Sequence, residues 1–452
     1  MPESVFITSL GCPKNLVDSE VMLGDLIDAG YEITSREEEA GVIIVNTCAF
    51  IQPAVEESIE TILALAENKK KGSLKRLVVT GCFPQRYGKE LIELLPEVDA
   101  FIGTDGFQNI GEALRSLKDG LAQPLYLIPR SPRFIMDEHT PRRCTTPFYT
   151  AYLKIAEGCG HRCSFCLIPR LRGKLRSRPV DSIFAEAARL AGEGVRELIL
   201  VAQDTSAYGS DLGDGTGLTG LLKKLLTIPG LDWIRLLYLY PTAIDDELLE
   251  LMASEPRICP YLDIPIQHIS PRILRLMRRP YDQDYIYALI ERIRLNLPGA
   301  ALRTSLIAGF PGETSEEFQK LLRFVKEARF EHVGVFPYAA EDGTVAGRLP
   351  GQLPEKVKKE RQKKILKSQQ AVSLAINRSR VGKIIPVLVE GLSDETELLL
   401  KGRAVFQAPD IDGQVYIAGG QTEIGRIASV RITDAHPYDL VGEIAATYSE
   451  CH

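Results

Sequence analysis

Residues 152–166 read YLKIAEGCGHRCSFC, a short apolar strand that runs directly into a loop with three cysteines. Further apolar runs follow at residues 197–202, 234–239, 261–264, 302–308 and 332–337, with helical patterns between them. Strands that alternate with helices pair in parallel through right-handed crossovers. Six such units predict a full or partial TIM-like barrel, with the cysteine loop at the carboxyl end of its first strand.

The first 120 residues show the same alternation. Apolar, β-branched runs at residues 5–10, 42–46 and 77–80 are each followed by a helical pattern, at residues 16–29, 54–68 and 85–94. This pattern predicts a doubly wound α/β domain with a parallel sheet. A stretch rich in Pro and Arg, residues 129–147, then indicates a linker.

The last hundred residues have a different character. Residues 354–380 form one charged helical pattern, with nine Lys or Arg against two Glu. Only short strands and turns follow, at residues 384–390, 397–404, 414–417 and 424–434. This segment predicts a small antiparallel β-barrel.

Composition limits the class of protein. The chain has 452 residues, a formal net charge of −6 and 45% hydrophobic residues, with no apolar run long enough to span a bilayer. Its charge provides no general attraction to nucleic acid. The amino terminus lacks the basic and apolar stretches of a signal peptide, so we expect a cytoplasmic protein. In that compartment nine cysteines indicate metal or catalytic thiols rather than disulfides.

The strongest chemical signal is the C-x3-C-x2-C spacing of Cys159, Cys163 and Cys166. A loop of this length folds back on itself, so its three thiols can bind one iron–sulfur cluster. A cubane cluster has four irons, so three cysteines leave one iron open for a chelating substrate. The alternative is a zinc site with His161 as the fourth ligand.

A second set of thiols is distributed along the chain. Cys12, Cys48 and Cys82 each lie one or two positions beyond a predicted strand of the N-terminal sheet. Parallel strands present these ends along one edge of the sheet, where open α/β folds bind ligands. We therefore expect the three thiols to meet in one site, the alternative being three buried thiols under tight turns.

Weaker signals lie at the ends of the barrel strands. Gln203 and Asp204 end a strand, where they either contact a cofactor or merely cap a loop. The turn that begins at Gly309 could offer backbone amides to a cofactor or simply close a tight turn. Gln267 and His268 end another strand, where a lone histidine is more often structural.

Two further groups of residues have no assigned partner. A basic run follows the cysteine loop and is either a substrate contact or a solvated face; it comprises Arg170, Arg172, Lys174, Arg176 and Arg178. The remaining cysteines with no partner by spacing are Cys144, Cys259 and Cys451.

Residues 157–166, EGCGHRCSFC, closely resemble the cluster motif of the radical S-adenosylmethionine superfamily. The resemblance implies that Cys159, Cys163 and Cys166 hold a [4Fe–4S] cluster and act in catalysis. Its open iron would chelate S-adenosyl-L-methionine. From their positions at strand ends, we expect Gln203 and Gly309 to contact this cofactor. The protein then supplies positioning and shielding, while the cofactors carry the radical chemistry.

Three N-terminal motifs narrow the family. Residues 9–15 (SLGCPKN), 46–48 (NTC) and 80–82 (TGC) resemble those of the methylthiotransferases. The resemblance implies a second, auxiliary [4Fe–4S] cluster on Cys12, Cys48 and Cys82 that delivers sulfur. The domains would be an N-terminal methylthiotransferase domain (residues 1–128), a linker (129–148), the radical barrel (149–353), a charged connecting helix (354–379) and a TRAM-like β-barrel (380–447).

The substrate can be inferred from charge and from resemblance. Residues 380–446 carry six Lys or Arg against ten Asp or Glu. An acidic domain repels RNA and suits a basic partner such as a ribosomal protein. Residues 201–209 (VAQDTSAYG) and 263–270 (DIPIQHIS) also resemble the branch that modifies the β-carbon of an aspartate in a small-subunit ribosomal protein.

We therefore expect an aspartate methylthiotransferase that binds no RNA stably and no membrane. Its sulfur source and electron donor are not identified by the sequence. Two alternatives stay open. A tRNA-modifying enzyme would bind tRNA, and a non-enzymatic iron–sulfur sensor or electron carrier would not cleave S-adenosylmethionine.

Overall fold

A computed structural model describes residues 3–72, 74–118, 123–396 and 398–445 of the chain. The N-terminal part is a six-stranded parallel sheet in the order β2-β1-β3-β4-β5-β6. Its strands are β1 Ser4–Ser9, β2 Glu32–Ile33, β3 Val42–Thr47, β4 Arg76–Gly81, β5 Ala100–Ile102 and β6 Leu125–Leu127. Its helices are α1 Pro13–Asp28, α2 Gln52–Lys71, α3 Cys82–Tyr87, α4 Leu91–Leu94 and α5 Ile110–Lys118. The predicted doubly wound sheet is confirmed.

The central part is a partial barrel of six parallel strands. Two sheets, β11-β10-β7 and β12-β13-β14, form the wall and are linked by a bridge between Ile234 and Ile258. The strands are β7 Thr150–Lys154, β10 Glu197–Val201, β11 Trp233–Leu236, β12 Tyr261–Asp263, β13 Ala301–Ala308 and β14 His332–Pro337; a small antiparallel pair is β8 Ala156–Glu157 and β9 Arg176–Ser177. The helices are α6 Ile168–Leu171, α7 Val180–Gly192, α8 Leu218–Leu225, α9 Asp246–Ser254, α10 Pro271–Leu276, α11 Gln283–Asn296 and α12 Ser315–Ala328.

The C-terminal part is a closed five-stranded barrel that follows helix α13, Glu355–Arg378. Its strands pair in the order β15-β16-β17-β19-β18. They are β15 Ile384–Leu392, β16 Leu400–Ala404, β17 Val415–Ile417, β18 Ile427–Ala435 and β19 Leu440–Ile444. All pairs are antiparallel except β17 with β19.

Helix α1 joins the N-terminal sheet to the inner wall of the central barrel. It buries polar residues as well as apolar ones, because its polar side chains meet partners on the barrel. Glu20 accepts hydrogen bonds from Arg142 at 2.6 Å, and Arg142 also pairs with Glu186 of α7 at 2.6 Å. Asp18 pairs with Lys154 of β7. The barrel interior is thus filled in part by the neighbouring domain.

The terminal barrel covers the amino ends of the central strands. Arg403 of β16 pairs with the buried Glu197, the first residue of β10, at 2.6 Å. The hydroxyl of Tyr261, the first residue of β12, donates to Asp412 at 2.7 Å. The cysteine loop follows the carboxyl end of β7, so the terminal barrel and the loop lie at opposite ends of the central barrel.

The structure differs from the sequence-based expectation in a few elements. One helix predicted at residues 85–94 is two short helices, α3 and α4, because Gly88 interrupts them with a φ of +67°. Strand β19 is absent from the prediction. The strand was missed because Gly442 weakens its sequence pattern. The structure needs a glycine there, because a Cβ at this position would lie 2.5 Å from Val430 Cγ1. Among the described residues, no helix is long and apolar enough to cross a membrane.

Candidate functional site

The loop of Cys159, Cys163 and Cys166 is fixed by its own backbone. The Cys159 amide donates to the carbonyl of Gly173 at 3.1 Å, and the Cys166 amide donates to the carbonyl of Cys163 at 3.3 Å. Gly158 has a φ of +81°, and a Cβ at this position would lie 2.1 Å from the Lys174 carbonyl oxygen. Only glycine allows this close approach.

All three cysteines of this loop line one cavity, which also includes Phe50 of the N-terminal part. Burial, together with the neighbouring thiols, raises the pKa of Cys159 to about 11 and that of Cys166 to about 12. Free thiols here stay protonated, whereas bound iron stabilises the thiolates. The other lining residues are His161, Phe165, Ile168, Gln203, Asp204, Tyr238, Leu239, Tyr240, Pro265, Gln267 and Arg279.

Gln203 and Asp204 both reach this cavity. The Gln203 amide nitrogen donates to Glu157, while its buried Oε1 has no hydrogen-bond partner among the described residues. A buried acceptor without a partner is costly, so this oxygen suits a donor on a bound molecule. Asp204 instead holds His161, with 2.6 Å between the carboxylate and Nε2.

Two aromatic residues and one arginine complete the wall. The ring of His161 stacks on Tyr240 with 3.8 Å between centroids, and the Arg279 guanidinium lies 4.8 Å from the same tyrosine ring. Arg279 is 9% exposed, and none of the described carboxylates pairs with it. A guanidinium in this position can bind an anion that enters the cavity.

Cys12, Cys48 and Cys82 meet at the carboxyl edge of the N-terminal sheet. Each directly follows, or lies within three residues of, the end of β1, β3 or β4. Gly11, with a φ of +93°, lets the chain pass Cys48 closely, because a Cβ there would lie 2.6 Å from Cys48 Cβ and 3.1 Å from its sulfur. The backbone therefore brings the first two strand ends together.

The three thiols interact electrostatically. Burial and the charges of Cys82 and Cys12 raise the pKa of Cys48 to about 12. Burial also raises the pKa of Cys82, although Arg172 opposes this. The pKa of Cys12 is lowered on balance, because Lys14 and Arg172 outweigh its burial. Three neighbouring thiols require a cation to become thiolates together.

Arg172 connects the two cysteine sets. It lies on the segment after the cysteine loop, is 2% exposed, and places Nη2 3.5 Å from the sulfur of Cys82. Its other contacts are Asp18 at 2.6 Å, Glu157 at 3.5 Å and Asn15. A continuous series of buried contacts thus runs from Cys82 through Arg172 and Glu157.

The series continues to the cavity. Glu157 pairs with Lys154 at 3.0 Å and accepts from Gln203, which lines the cavity. Lys154, Arg172 and the Gln203 amide lower the pKa of Glu157 to about 2 despite burial. Glu157 is therefore an anion that holds the side chains of Lys154, Arg172 and Gln203 in place.

The zinc alternative does not fit this geometry. His161, its proposed fourth ligand, is bonded to Asp204 and stacked on Tyr240. Within the described ranges, no three His, Cys, Asp or Glu side chains converge on a single metal ion. A cluster carries its irons at separate corners, so its thiolates need not converge on one point.

Other predicted contacts have structural partners. The Gly309 amide donates to Glu313 Oε2 at 2.6 Å, as expected of a tight turn, and Gly309 is not part of the cavity wall. Gln267 does line the cavity. His268 is buried, its Nδ1 accepts from the Ser270 amide at 2.9 Å, and burial lowers its pKa to about 3.

Two members of the basic run after the loop, Arg172 and Arg178, are buried. Both are held by ion pairs, so neither lies on a solvated face or is free to contact a substrate. Arg172 forms the contacts described above, and Arg178 pairs with Glu186 at 2.5 Å. Cys144 and Cys259 lie apart from both cysteine sets, with Cys259 fully buried. Cys451 lies outside the described residues.

Four important residues escaped sequence reasoning: Lys14, Glu157, Tyr238 and Arg279. Lys14 and Glu157 each lie within two residues of a cysteine, and this proximity in sequence could have marked them as part of the site. Tyr238 and Arg279 reach the cavity through the barrel fold, and no local pattern marks them.

Comparisons with known proteins agree with this architecture. Three family models match the chain: the family described as "Uncharacterized protein family UPF0004" at residues 4–103, the radical SAM superfamily at 153–325 and the TRAM domain at 381–445. Proteins named ribosomal protein uS12 methylthiotransferase RimO, from Geotalea uraniireducens and Geobacter sulfurreducens, are each 53% identical over 98% of both chains. The protein of that name from Trichlorobacter lovleyi is 54% identical over the same shares.

This chain belongs to the ribosomal protein uS12 methylthiotransferase family. Family membership makes it a radical SAM transferase, which uses S-adenosylmethionine and a [4Fe–4S] cluster. The sensor and electron-carrier alternatives are therefore wrong.

Solved structures support the fold. A radical S-adenosylmethionine methyltransferase, TsrM from Kitasatospora setae, matches with a TM-score of 0.56 at 17% identity over 75% of both chains. The cobalamin-dependent radical enzyme OxsB matches with a TM-score of 0.53 at 11% identity, over 82% of this chain and 56% of that one. At these identities the likeness concerns the fold alone.

Proposed function

We propose that this chain attaches a methylthio group to the β-carbon of an aspartate in ribosomal protein uS12. The observation that carries the proposal is the meeting of two three-cysteine sets near one cavity. Phe50, two residues after Cys48, lines the cavity of the first set. Arg172, which follows the loop of that set, contacts Cys82 of the second. A ribosomal substrate places the reaction in the cytoplasm.

Cys159, Cys163 and Cys166 are assigned to the radical [4Fe–4S] cluster. With S-adenosylmethionine, this group supplies a carbon radical able to abstract an unactivated hydrogen. Arg279, which forms no ion pair with a described carboxylate, would bind the methionine carboxylate, and Oε1 of Gln203, which has no hydrogen-bond partner among the described residues, would accept a hydrogen bond from the cofactor. The aromatic wall excludes water, which protects a reactive species from side reactions.

Cys12, Cys48 and Cys82 are assigned to an auxiliary [4Fe–4S] cluster that delivers sulfur. Their mutual proximity supports the assignment. Arg172 and Lys14 add positive charge beside these thiols, which favours the thiolate forms needed to bind iron. The division of the chain at residues 128, 148, 353 and 379 belongs to the same proposal.

The charge of the terminal barrel favours a protein substrate over tRNA. This domain is acidic in sequence, and one of its few arginines, Arg403, is buried against Glu197. Phosphate contacts require exposed basic residues, so we expect no stable RNA binding. Because this barrel lies opposite the cysteine loop, it contacts parts of the partner far from the target aspartate.

An anaerobic reaction tests this proposal. The enzyme with reconstituted clusters receives reductant, sulfide and S-adenosylmethionine, with tRNA and the small ribosomal subunit offered together. Mass spectrometry locates any methylthio group, and we expect it on an aspartate of uS12. A methylthio group on an adenosine of tRNA would contradict the proposed substrate, and the matched control omits the reductant.

A further inference from the structure

Lys14, on the first turn of α1, is a buried cation beside Cys12 of the auxiliary set. Its side chain is 8% exposed, and none of the described carboxylates forms an ion pair with it. Lys154 is buried to a similar degree but pairs with Asp18 and Glu157. An unpaired charge in the interior is costly, and such a charge in an enzyme indicates a ligand of opposite sign.

The ammonium group of Lys14 lies beside the cavity wall. Its Nζ is 3.4 Å from the ring centroid of Tyr238, and Tyr238 lines the cavity of the cysteine loop. Tyr238 has a φ of +63°, a conformation that is rare for a bulky residue. Its amide donates to Asp263 at 3.1 Å, which holds this backbone in place.

Two carboxylates must enter the site. Lys14 and Arg279 are buried cations that have tyrosine and cysteine neighbours but no ion-pair partner among the described carboxylates. The methionine part of S-adenosylmethionine carries one carboxylate, and the aspartate side chain of the substrate carries the other. Arg279 interacts with Cys163 of the radical set, whereas Lys14 interacts with Cys12 of the auxiliary set. Arg279 therefore suits the cofactor, and Lys14 suits the residue that receives sulfur.

We propose that Lys14 binds the side-chain carboxylate of the substrate aspartate and selects it over neutral residues. This inference rests on the proposed function. Contact between the ammonium and the carboxylate positions the adjacent β-carbon between the two cysteine sets. A site built to pair a charged group discriminates strongly against a neutral isostere, because its own charge is then left unpaired.

The test compares two substrates that differ in one group. The target aspartate, located first with the wild-type enzyme, is changed to asparagine in uS12, and kcat/KM is measured for both forms. We expect the wild-type enzyme to prefer aspartate by roughly tenfold or more. Lys14→Met should lose this preference while it still forms deoxyadenosine. Lys14→Arg should keep the preference, because it keeps the positive charge.

A matched control comes from the same domain. Lys89 also lies over a tyrosine ring, 5.6 Å from the centroid of Tyr126, but it is exposed and remote from the cavity wall. Lys89→Met should leave the preference for aspartate unchanged. Iron content and the electron paramagnetic resonance signals of each variant show that both clusters are present.

Three results would overturn the inference. Lys14→Met with a retained preference for aspartate would exclude Lys14 as the receptor. An equal loss for both substrates, together with a shifted auxiliary-cluster signal, would make Lys14 only a counter-charge for the cluster. A wild-type enzyme that modifies no aspartate would overturn the proposed function itself. Should Lys14→Met fail to load its clusters, Lys14→Gln carries the same comparison.

Discussion

The two cysteine sets are built in opposite ways. Cys159, Cys163 and Cys166 lie within eight residues on one loop, held by its own backbone hydrogen bonds. The second set, Cys12, Cys48 and Cys82, follows three strands that are 30 or more residues apart in sequence. The first set therefore depends on local structure, and the second depends on the assembled sheet.

The sets also differ in what surrounds them. The loop set faces an open cavity with aromatic walls. The distributed set is contacted by Arg172, a residue of the central barrel, so it is complete only when the two domains are packed together. The loop set can therefore be recognised in the sequence by its spacing, whereas the surroundings of the distributed set depend on tertiary contacts.

Removal of one loop cysteine should have the largest effect. Cys159→Ala should abolish both deoxyadenosine formation and methylthiolated product, because the radical cluster loses a ligand. Chromatographic assay of deoxyadenosine and mass spectrometry of uS12 measure the two losses. Cys144→Ala, which changes a cysteine outside both sets, is the control and should leave both activities intact. Product from Cys159→Ala would refute the assignment.

Removal of one distributed cysteine should separate the two activities. Cys48→Ala should stop sulfur insertion but spare uncoupled deoxyadenosine formation, because the loop and its cavity are unchanged. The same two assays measure the split, again against Cys144→Ala. Methylthiolated product from Cys48→Ala would defeat the sulfur-donor role of this set.

A change at Arg172 should have an intermediate effect. Arg172→Lys keeps a charge but loses the forked contacts with Cys82, Asp18 and Asn15. We expect sulfur insertion to fall roughly 10- to 100-fold and deoxyadenosine formation to change less. A shifted reduction potential of the auxiliary cluster should accompany this loss.

The matched control for Arg172→Lys is Arg142→Lys. Arg142 is equally buried in ion pairs, with Glu20 and Glu186, but contacts neither cysteine set. The Arg142→Lys variant should have a lower melting temperature but an unchanged reduction potential of the auxiliary cluster. Equal shifts in both variants would show that Arg172 acts through general stability alone.

The smallest effect on catalysis is expected at Glu197, far from both sets. Although burial opposes ionisation, Arg403 and Arg235 lower its pKa from 4.5 to about 2. Its ion pairs are therefore fully formed above the ordinary pKa of 4.5 and are lost as the pH falls towards 2. At neutral pH they contribute about 3 kcal/mol to the free energy of unfolding. Glu197→Gln should lower the melting temperature at neutral pH, and its difference from wild type should shrink in acid.

An exposed ion pair of the same terminal barrel provides the comparison for Glu197. Asp394 pairs with Lys401 at 2.6 Å and is largely solvent-accessible. Asp394→Asn should change the melting temperature little at any pH. A constant difference between wild type and Glu197→Gln across the acid range would contradict the assigned pKa.

Sequence predicted the elements that have a strong local signal. The period of apolar residues located the six barrel strands within one or two residues at most ends, and the cysteine spacing located the loop. It could not predict that Arg172 is buried, because a basic run has the same pattern on a solvated face. The partners of Arg172 lie on α1 and β8, which only tertiary packing brings together.

The same limit applies to the cavity. Gln203 was predicted from its position at a strand end, and the structure places it in the wall. Gly309 was predicted by the same reasoning, but Glu313 engages its amide. Strand ends predict which residues are near a site, whereas the contacts that decide their roles come from side chains elsewhere in the chain.

The central claim is that one cysteine set supplies the radical and the other supplies the sulfur. Its most direct test is a single turnover without free sulfide, on uS12, with clusters reconstituted from a heavy sulfur isotope. We expect heavy sulfur in the methylthio group from the wild-type enzyme, and deoxyadenosine without product from Cys48→Ala. Ordinary sulfur in the product would contradict it, because the sulfur would then come from S-adenosylmethionine.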